Sequence, residues 1–262
     1  MPLHFQSRPG LVAYLTIGDP DLAASRAIAL AAIDAGADVL ELGVPFSDPV
    51  ADGPVIQRAS ERALRNGVTL RDVVALAADV RRERPAAGLV VFSYLNPILR
   101  LGLENFCAAA ALAGVDGVLV TDLIVEEARD YLDAMHRHRL APIFLAAPTS
   151  PDARLEAIAA ASQGFVYAIS RVGITGAQKS LTSDAEQLVR RLRQVTQLPI
   201  AVGFGISSPE HFAAVGEFAD AAVVGSALVA TIEQAGPQAA PGAVARFIQG
   251  LRGVPEPAAQ SR

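Results

Sequence analysis

Short apolar runs alternate with stretches of helical periodicity along most of the chain. Several of these runs end beside Gly, Pro, Asp or Ser, which is typical of strands that lead into loops. They predict eight strands, over residues 11–17, 39–44, 89–94, 117–121, 142–146, 165–169, 200–204 and 221–224. Between them, apolar residues recur at the spacing of a helix face. The predicted helices cover residues 22–35, 69–84, 103–113, 126–139, 153–161, 185–196, 209–215 and 243–251.

Eight successive strand–helix units predict an α/β fold, a single (β/α)8 TIM barrel with helices outside a closed parallel sheet. A doubly wound open sheet is the alternative, but no Gly-x-Gly-x-x-Gly follows the first strand. The second unit has room for an extra helix over residues 54–66. We expect one domain over residues 1–252 and a disordered tail, rich in Pro and Ala, over residues 253–262.

Composition narrows the possible classes of function. The chain has 262 residues, of which 52% are hydrophobic, and this is enough for one large core. A net charge of −5 argues against a nucleic-acid-binding surface, which needs clustered basic residues. No run of uncharged apolar residues is long enough to span a membrane. A single cysteine, Cys107, allows no internal disulfide and fits a cytoplasmic protein.

Residues for two common kinds of catalysis are scarce. Lys179 is the only lysine, and it falls in a predicted glycine-bearing loop, whereas a Schiff-base lysine needs a desolvated pocket. Two of the four histidines, His136 and His138, are two apart on a predicted helix and so point in different directions. The sequence therefore favours neither a metal site nor a Schiff-base mechanism.

Glu41 is the only charged residue in an otherwise apolar run, residues 39–44. A lone buried carboxylate is costly unless it is paired or used. Because side chains alternate along a strand, Glu41 shares a face with Gly43 and lies opposite Leu40 and Leu42. If the leucines face the helices, Glu41 points into the mouth of the barrel, where active sites of this fold lie. The alternative is a structural ion pair with an arginine.

Asp52 follows Glu41 by eleven residues and offers a second carboxylate to the same pocket. The local sequence Asp52-Gly53-Pro54 also looks like a helix start, with Asp52 as the N-cap and Pro54 at the first helical position. From the local sequence alone, the catalytic role and the capping role both remain open.

Three glycine-bearing turns follow the last three predicted strands, at residues 170–177, 203–207 and 225–227. Glycines let backbone N–H groups approach an anion closely, and a helix beginning at Ser226 would direct its positive end there. Loops after strands seven and eight of TIM barrels are a frequent phosphate site. Together the turns predict a phosphate site, although each one alone is compatible with a simple tight turn.

Three further polar residues lie at predicted strand ends. Tyr94 lies at the end of the third predicted strand, and Tyr167 lies near the end of the sixth. Each of these tyrosines either lines the pocket or packs in the core. Asp122 follows the fourth strand and either assists at the site or caps a helix.

These motifs together resemble the tryptophan synthase alpha subunit family. The most specific likeness is Leu40-Glu41-Leu42-Gly43-Val44-Pro45-Phe46-Ser47-Asp48-Pro49 followed by Ala51-Asp52-Gly53-Pro54. Residues 16–20, 171–177, 203–207 and 225–226 also match, in the family's order. Ala13, Ile124 and Val172 depart from the family pattern without touching either carboxylate.

The resemblance implies a carbon–carbon lyase of tryptophan biosynthesis. Its members perform a retro-aldol cleavage of indole-3-glycerol phosphate to indole and glyceraldehyde 3-phosphate. By this resemblance Glu41 would be the general acid/base and Asp52 would hold the indole N–H. Thr175 would hydrogen-bond to Asp52. The other substrate-binding residues would be Tyr94, Tyr167, Gly176, Phe204, Gly205, Gly225 and Ser226.

The resemblance also implies a partner. In the family, the loop around residues 45–49 meets a beta subunit that carries pyridoxal phosphate, in an alpha2beta2 complex. No cofactor is then expected in this chain. A stand-alone lyase that releases free indole is one alternative. A non-catalytic allosteric barrel is another, which the presence of both carboxylates disfavours.

Overall fold

The computed structural model describes residues 3–169, 178–203 and 205–253, with residues 178–183 described by their backbone alone. In these ranges the strands are β1 Gly10–Thr16, β2 Val39–Gly43, β3 Gly88–Ser93, β4 Gly117–Val120, β5 Ala141–Ile143, β6 Leu145–Ala146, β7 Val166–Ile169, β8 Ile200–Gly203 and β9 Ala221–Val224. The α-helices are α1 Leu22–Asp34, α2 Pro54–Arg65, α3 Leu70–Glu83, α4 Leu95–Leu101, α5 Leu103–Leu112, α6 Arg129–Arg137, α7 Asp152–Ala161, α8 Gln178–Arg193, α9 Pro209–Gly216 and α10 Ser226–Leu251.

The strands form one parallel sheet, and the two strands at its ends are neighbours in the sequence. The order is β5-β4-β3-β2-β1-β9-β8-β7-β6, so the terminal strands β5 and β6 are separated only by Phe144. They are the two halves of the strand predicted over residues 142–146. One half pairs with β4 and the other with β7. This divided strand joins the two ends of the sheet, and the predicted TIM barrel is confirmed.

The alternation of side chains along each strand separates two cores. The barrel interior is filled by one cluster that includes Val12, Val39 and Phe165. Leu40 and Leu42 belong instead to the large cluster between the sheet and the helices. These leucines therefore face the helices, and it follows from the pleat that Glu41 faces inward.

The extra helix predicted in the second unit is α2, and an ion-pair network attaches it to the barrel. Arg62 of α2 binds both carboxylate oxygens of buried Asp19, after β1, at 2.7 and 2.8 Å. Arg62 also bonds Glu233 of α10 at 2.6 Å, and Arg58 reaches the same carboxylate at 3.0 Å. The helix that follows Asp52 is thus fixed to the first strand's loop and to α10.

Helices α4 and α10 differ from the predicted pattern for local reasons. Helix α4 was not predicted, because it is short and contains Pro97. Its first N–H, on Leu95, donates to Asp122 at 2.7 Å, so Asp122 serves as a cap supplied by another unit. Helix α10 begins well before the predicted residues 243–251, and Gly236, with φ of 72°, kinks it.

Two other expectations concern the ends of described segments. Lys179 lies in the first turn of α8, so its placement in a loop was wrong. Most of the expected tail, residues 254–262, lies outside the described residues. Within the described ranges, none of the helices has the length and apolar character needed to cross a membrane.

Candidate active site

A cavity of about 410 Å³ opens where the strands end. Part of its wall is made of side chains from the barrel interior and from α2, namely Tyr14, Glu41, Ile56, Phe92, Tyr167 and Val223. The rest comes from the end of β8, the turns after β8 and β9, and the first turn of α10, namely Gly203, Gly205, Ile206, Ser207, Gly225, Ser226 and Ala227. The cavity therefore combines one acidic side chain and several aromatic rings with a backbone-rich turn region.

Glu41 is fully buried in this cavity wall. Neither of its carboxylate oxygens has a hydrogen-bond partner among the described residues. No arginine of the described residues therefore forms the structural ion pair considered from the sequence. Burial raises the pKa of Glu41 to about 8, because the charged form loses its hydration without gaining a partner. Such a carboxyl is protonated at neutral pH and can both give and take a proton.

Asp52 does not cap the helix that follows it. The N-cap of α2 is Gly53, with no side-chain cap, so the capping alternative was wrong, although Pro54 does occupy the first turn. Instead, Asp52 Oδ2 accepts a hydrogen bond from the Tyr94 hydroxyl at 3.1 Å. Burial raises the pKa of Asp52 to about 6, and the hydrogen bond from Tyr94 acts in the opposite direction.

The hydroxyl of Tyr94 makes two hydrogen bonds to the loop that contains Asp52. Its hydroxyl oxygen accepts the N–H of Ala51 at 2.9 Å while its proton goes to Asp52. Its ring lies against Phe46, with 4.9 Å between ring centroids. Tyr94 and Asp52 do not themselves line the cavity, but the charge of Asp52 contributes to the raised pKa of both Tyr14 and Tyr167. This geometry gives Tyr94 a role in placing Asp52.

The glycine turns after β8 and β9 converge on the cavity. Helix α10 begins at Ser226, with Gly225 as its N-cap, so the helix start expected there is confirmed. Gly205 has φ of 72°, a conformation that a glycine adopts without strain. The N-terminus of α10, where the first N–H groups of a helix have no partner within the helix, lies on the side of the cavity where the sequence predicts a phosphate. Thr175, Gly176 and Phe204 lie outside the described residues.

The structure places Tyr167 in the cavity wall and adds Tyr14, which sequence reasoning missed. Burial raises the pKa of Tyr167 well above its usual value, and the nearby Glu41 adds to the shift. Tyr14 lies in β1 between Val12 and Thr16. The period-two alternation that placed Glu41 inward could have found Tyr14, because the two are register partners in the neighbouring strands β1 and β2.

No group of three or more His, Cys, Asp or Glu side chains in the described part of the chain is arranged to hold a metal ion. Among the described residues that line the cavity, the titratable groups are the carboxyl of Glu41 and the phenols of Tyr14 and Tyr167.

Comparison with known proteins assigns this geometry to a family. A family model described as tryptophan synthase alpha chain matches residues 2–251. The chain belongs to the tryptophan synthase alpha chain family. The tryptophan synthase alpha chain of Solibacter usitatus is 52% identical over 87% of this chain and 85% of its own length. The tryptophan synthase alpha chain of Chloroflexus aurantiacus is 45% identical over 95% of this chain and 94% of its own length.

Solved structures agree with the family assignment. Tryptophan synthase subunit alpha from Legionella pneumophila has a TM-score of 0.85 and 35% identity, covering 94% of this chain and 92% of that one. A chain of Mycobacterium tuberculosis tryptophan synthase has a TM-score of 0.84 and 41% identity, with 94% and 93% covered. Members of the family catalyse the alpha reaction of tryptophan synthase, a lyase activity, so this chain is an enzyme of tryptophan biosynthesis.

Proposed function

We propose that this chain cleaves indole-3-glycerol phosphate with Glu41 as the general acid/base and Asp52 as the group that holds the indole N–H. The observation that carries the proposal is the position of Glu41, a buried carboxyl without a partner that faces a cavity closed on another side by glycine turns. A cavity with an acid–base group and an anion-binding side suits a substrate that has an indole ring and a phosphate.

The bond between indole C3 and the glycerol chain breaks only after C3 is protonated. Glu41, protonated at neutral pH because its pKa is about 8, supplies that proton. Positive charge then develops on the indole nitrogen, where the carboxylate of Asp52 stabilises it. As the carbon–carbon bond breaks, the ionised Glu41 takes the proton of the adjacent chain hydroxyl, whose oxygen becomes the aldehyde of glyceraldehyde 3-phosphate. Glu41 thus returns to its starting state.

The phosphate is bound opposite the carboxyl group in this proposal. Backbone N–H groups of Gly205, Gly225 and Ser226 and the N-terminus of α10 supply the donors. Gly176 and Phe204 would complete the site. Binding at the phosphate fixes the reacting bond over Glu41 and lowers the entropic part of the barrier.

A partner completes the proposed function. The chain is similar to a chain in the structure of a tryptophan synthase complex from Pyrococcus furiosus, with 38% identity and a TM-score of 0.84. We infer that this chain forms an alpha2beta2 complex in the cytoplasm, that residues 45–49 meet the beta subunit, and that pyridoxal phosphate belongs to that subunit. The exposed side chain of Val50, which lies directly after these residues, fits a loop that a partner covers.

The test measures indole release from indole-3-glycerol phosphate by the purified chain, with and without a beta subunit. Turnover that the beta subunit strongly stimulates supports the complex, whereas high turnover by the chain alone supports a stand-alone lyase. Glu41→Gln should abolish cleavage, since an amide neither gives nor takes the proton, while glycerol phosphate still binds. Normal turnover by this variant would show that Glu41 does not have the proposed role.

A further inference from the structure

The hydroxyl of Tyr14 has a fixed position in the cavity beside Glu41. Tyr14 and Glu41 are direct partners in the parallel register of β1 and β2, so both side chains face the barrel interior. The Tyr14 ring packs edge-on against Phe92, with 5.1 Å between ring centroids. The Cβ and Cδ1 atoms of Tyr14 lie near Gly225, at the start of α10. The ring therefore spans the cavity wall from the carboxyl group to the proposed phosphate site.

Gly43 provides the space in which the Tyr14 hydroxyl lies. A Cβ atom on Gly43 would be only 2.4 Å from the Tyr14 hydroxyl oxygen. Gly43 is the next inward-facing residue of β2 after Glu41, one strand repeat closer to the mouth of the barrel. The phenol oxygen thus takes the place of a side chain at residue 43, one inward-facing position beyond Glu41 in the direction of the barrel mouth.

The hydrogen bonds of the two groups are complementary and incomplete. The Tyr14 hydroxyl oxygen lies 3.4 Å from the Thr16 hydroxyl, which donates to it, so the phenol proton is directed elsewhere. Among the described residues no acceptor receives that proton, and neither oxygen of Glu41 receives a hydrogen bond. Once Glu41 is ionised, its carboxylate is an acceptor and the Tyr14 O–H is a donor, and both face the same cavity without contacting each other. A ligand hydroxyl satisfies both, because its oxygen accepts and its proton is donated.

We propose that Tyr14 is a further catalytic residue, whose phenol O–H donates a hydrogen bond to the chain hydroxyl oxygen that Glu41 deprotonates. This inference rests on the proposed function. As the hydroxyl proton moves to Glu41 and the carbon–carbon bond breaks, negative charge develops on that oxygen before the aldehyde forms, and the Tyr14 bond stabilises it. Tyr14 keeps its own proton throughout. Burial and the charge of Asp52 raise its pKa, which keeps it a donor.

The experiment compares wild type with Tyr14→Phe, which removes one oxygen atom and leaves the ring in place. We expect kcat/KM for indole-3-glycerol phosphate to fall on the order of tenfold to a hundredfold. The second ligand is 3-(indol-3-yl)propyl phosphate, which lacks both chain hydroxyls. Its affinity, measured by calorimetry, should be the same for the two proteins, because it has no chain hydroxyl for Tyr14 to contact.

Tyr131→Phe is the matched control. The Tyr131 hydroxyl is buried outside the barrel interior and donates to the carbonyl of Val118 at 2.9 Å. Its loss should lower the melting temperature and leave kcat/KM unchanged. Unchanged turnover by Tyr14→Phe overturns the assignment, and so does an equal loss of affinity for the propyl phosphate, which would indicate a packing role. If wild type with its beta subunit does not cleave the substrate, both the proposed function and this inference fail.

Discussion

The Tyr94 hydroxyl donates a hydrogen bond to Asp52 across 3.1 Å and, through its oxygen, accepts the N–H of Ala51 at 2.9 Å. Tyr94 directly follows β3, whereas Asp52 precedes α2 in the unit before it. This contact therefore fixes a carboxylate that its own loop does not hold. It also opposes the effect of burial on the pKa of Asp52, which is about 6. At neutral pH the carboxylate is mostly ionised, as binding of an indole N–H requires.

Removing this hydrogen bond should move the acidic limb of the pH profile. The bond lowers the pKa of Asp52, so Tyr94→Phe should raise that pKa above about 6. Because the ionised form of Asp52 is the active one, activity is lost as pH falls through this pKa. The acidic limb of kcat/KM should therefore shift to higher pH in the variant. A limb that stays in place would show that Asp52 does not control it.

The alkaline limb should report Glu41. Its pKa of about 8 means that the protonated acid, which starts the reaction, disappears as pH rises through that value. We expect kcat/KM to fall above about pH 8, with a midpoint near the pKa of Glu41. A rate that continued to increase through this region would contradict the role of the protonated carboxyl.

Glu41→Gln should stabilise the fold as it abolishes activity. In the unfolded chain the pKa of Glu41 is near 4.5, and in the folded chain it is about 8. Between these values the folded state holds a proton that the unfolded state releases, so wild-type stability falls as pH rises through this window. The advantage of the variant should grow over the same window, to a few kcal/mol, on the order given by the pKa difference.

Urea unfolding of both proteins at about pH 5 and about pH 8.5 measures this difference, and Glu61→Gln at an exposed site is the control. An advantage of Glu41→Gln that did not change with pH would show that the buried carboxyl is not the cause.

A methyl group on Gly225 should weaken phosphate binding without disturbing the fold. Its Cβ would meet Tyr14 atoms at 3.6 and 3.8 Å, which are ordinary contacts, but it would enter the cavity at the start of α10. We expect Gly225→Ala to lower the affinity for glycerol 3-phosphate about tenfold, or about 1.4 kcal/mol. Calorimetry measures it. Gly250→Ala, with no atom within 4 Å of the added Cβ, should bind normally. Equal affinities for all three proteins would place the anion elsewhere.

Arg62 should contribute more to stability than a comparable surface arginine. Arg62→Met leaves the carboxylate of Asp19, which is 4% exposed, without the guanidinium that binds both of its oxygens. The free energy of unfolding should fall by about 2–4 kcal/mol, because removing one partner of a buried ion pair leaves the other charge buried without a partner. On the same helix, Arg65→Met removes only an exposed pair with Glu61 and should cost less than about 0.5 kcal/mol. Urea unfolding compares the two, and equal losses would contradict the argument.

Much of the architecture is contained in local pattern. The apolar runs and helical stretches predict the order of strands and helices. A parallel strand that is buried on both faces is a continuous apolar run, and a helix that is buried on one face has apolar residues at a regular spacing. Helix α4 and the first half of α10 escaped this reasoning. Pro97 and Pro237 weaken the helical signal there, whereas the structure supplies Asp122 as a distant cap and Gly236 as a hinge.

The sequence by itself determined the barrel, the inward direction of Glu41 and the family to which the acidic motif belongs, because these depend on periodicity and on residues close together in the chain. Only the tertiary structure decided that Glu41 has no arginine partner within the described ranges, that Asp52 binds Tyr94 instead of capping α2, and that Tyr14 lies over Gly43. These contacts join residues of different strand–helix units. Closure of the sheet sets the distances between these residues, and the sequence around each residue does not determine those distances.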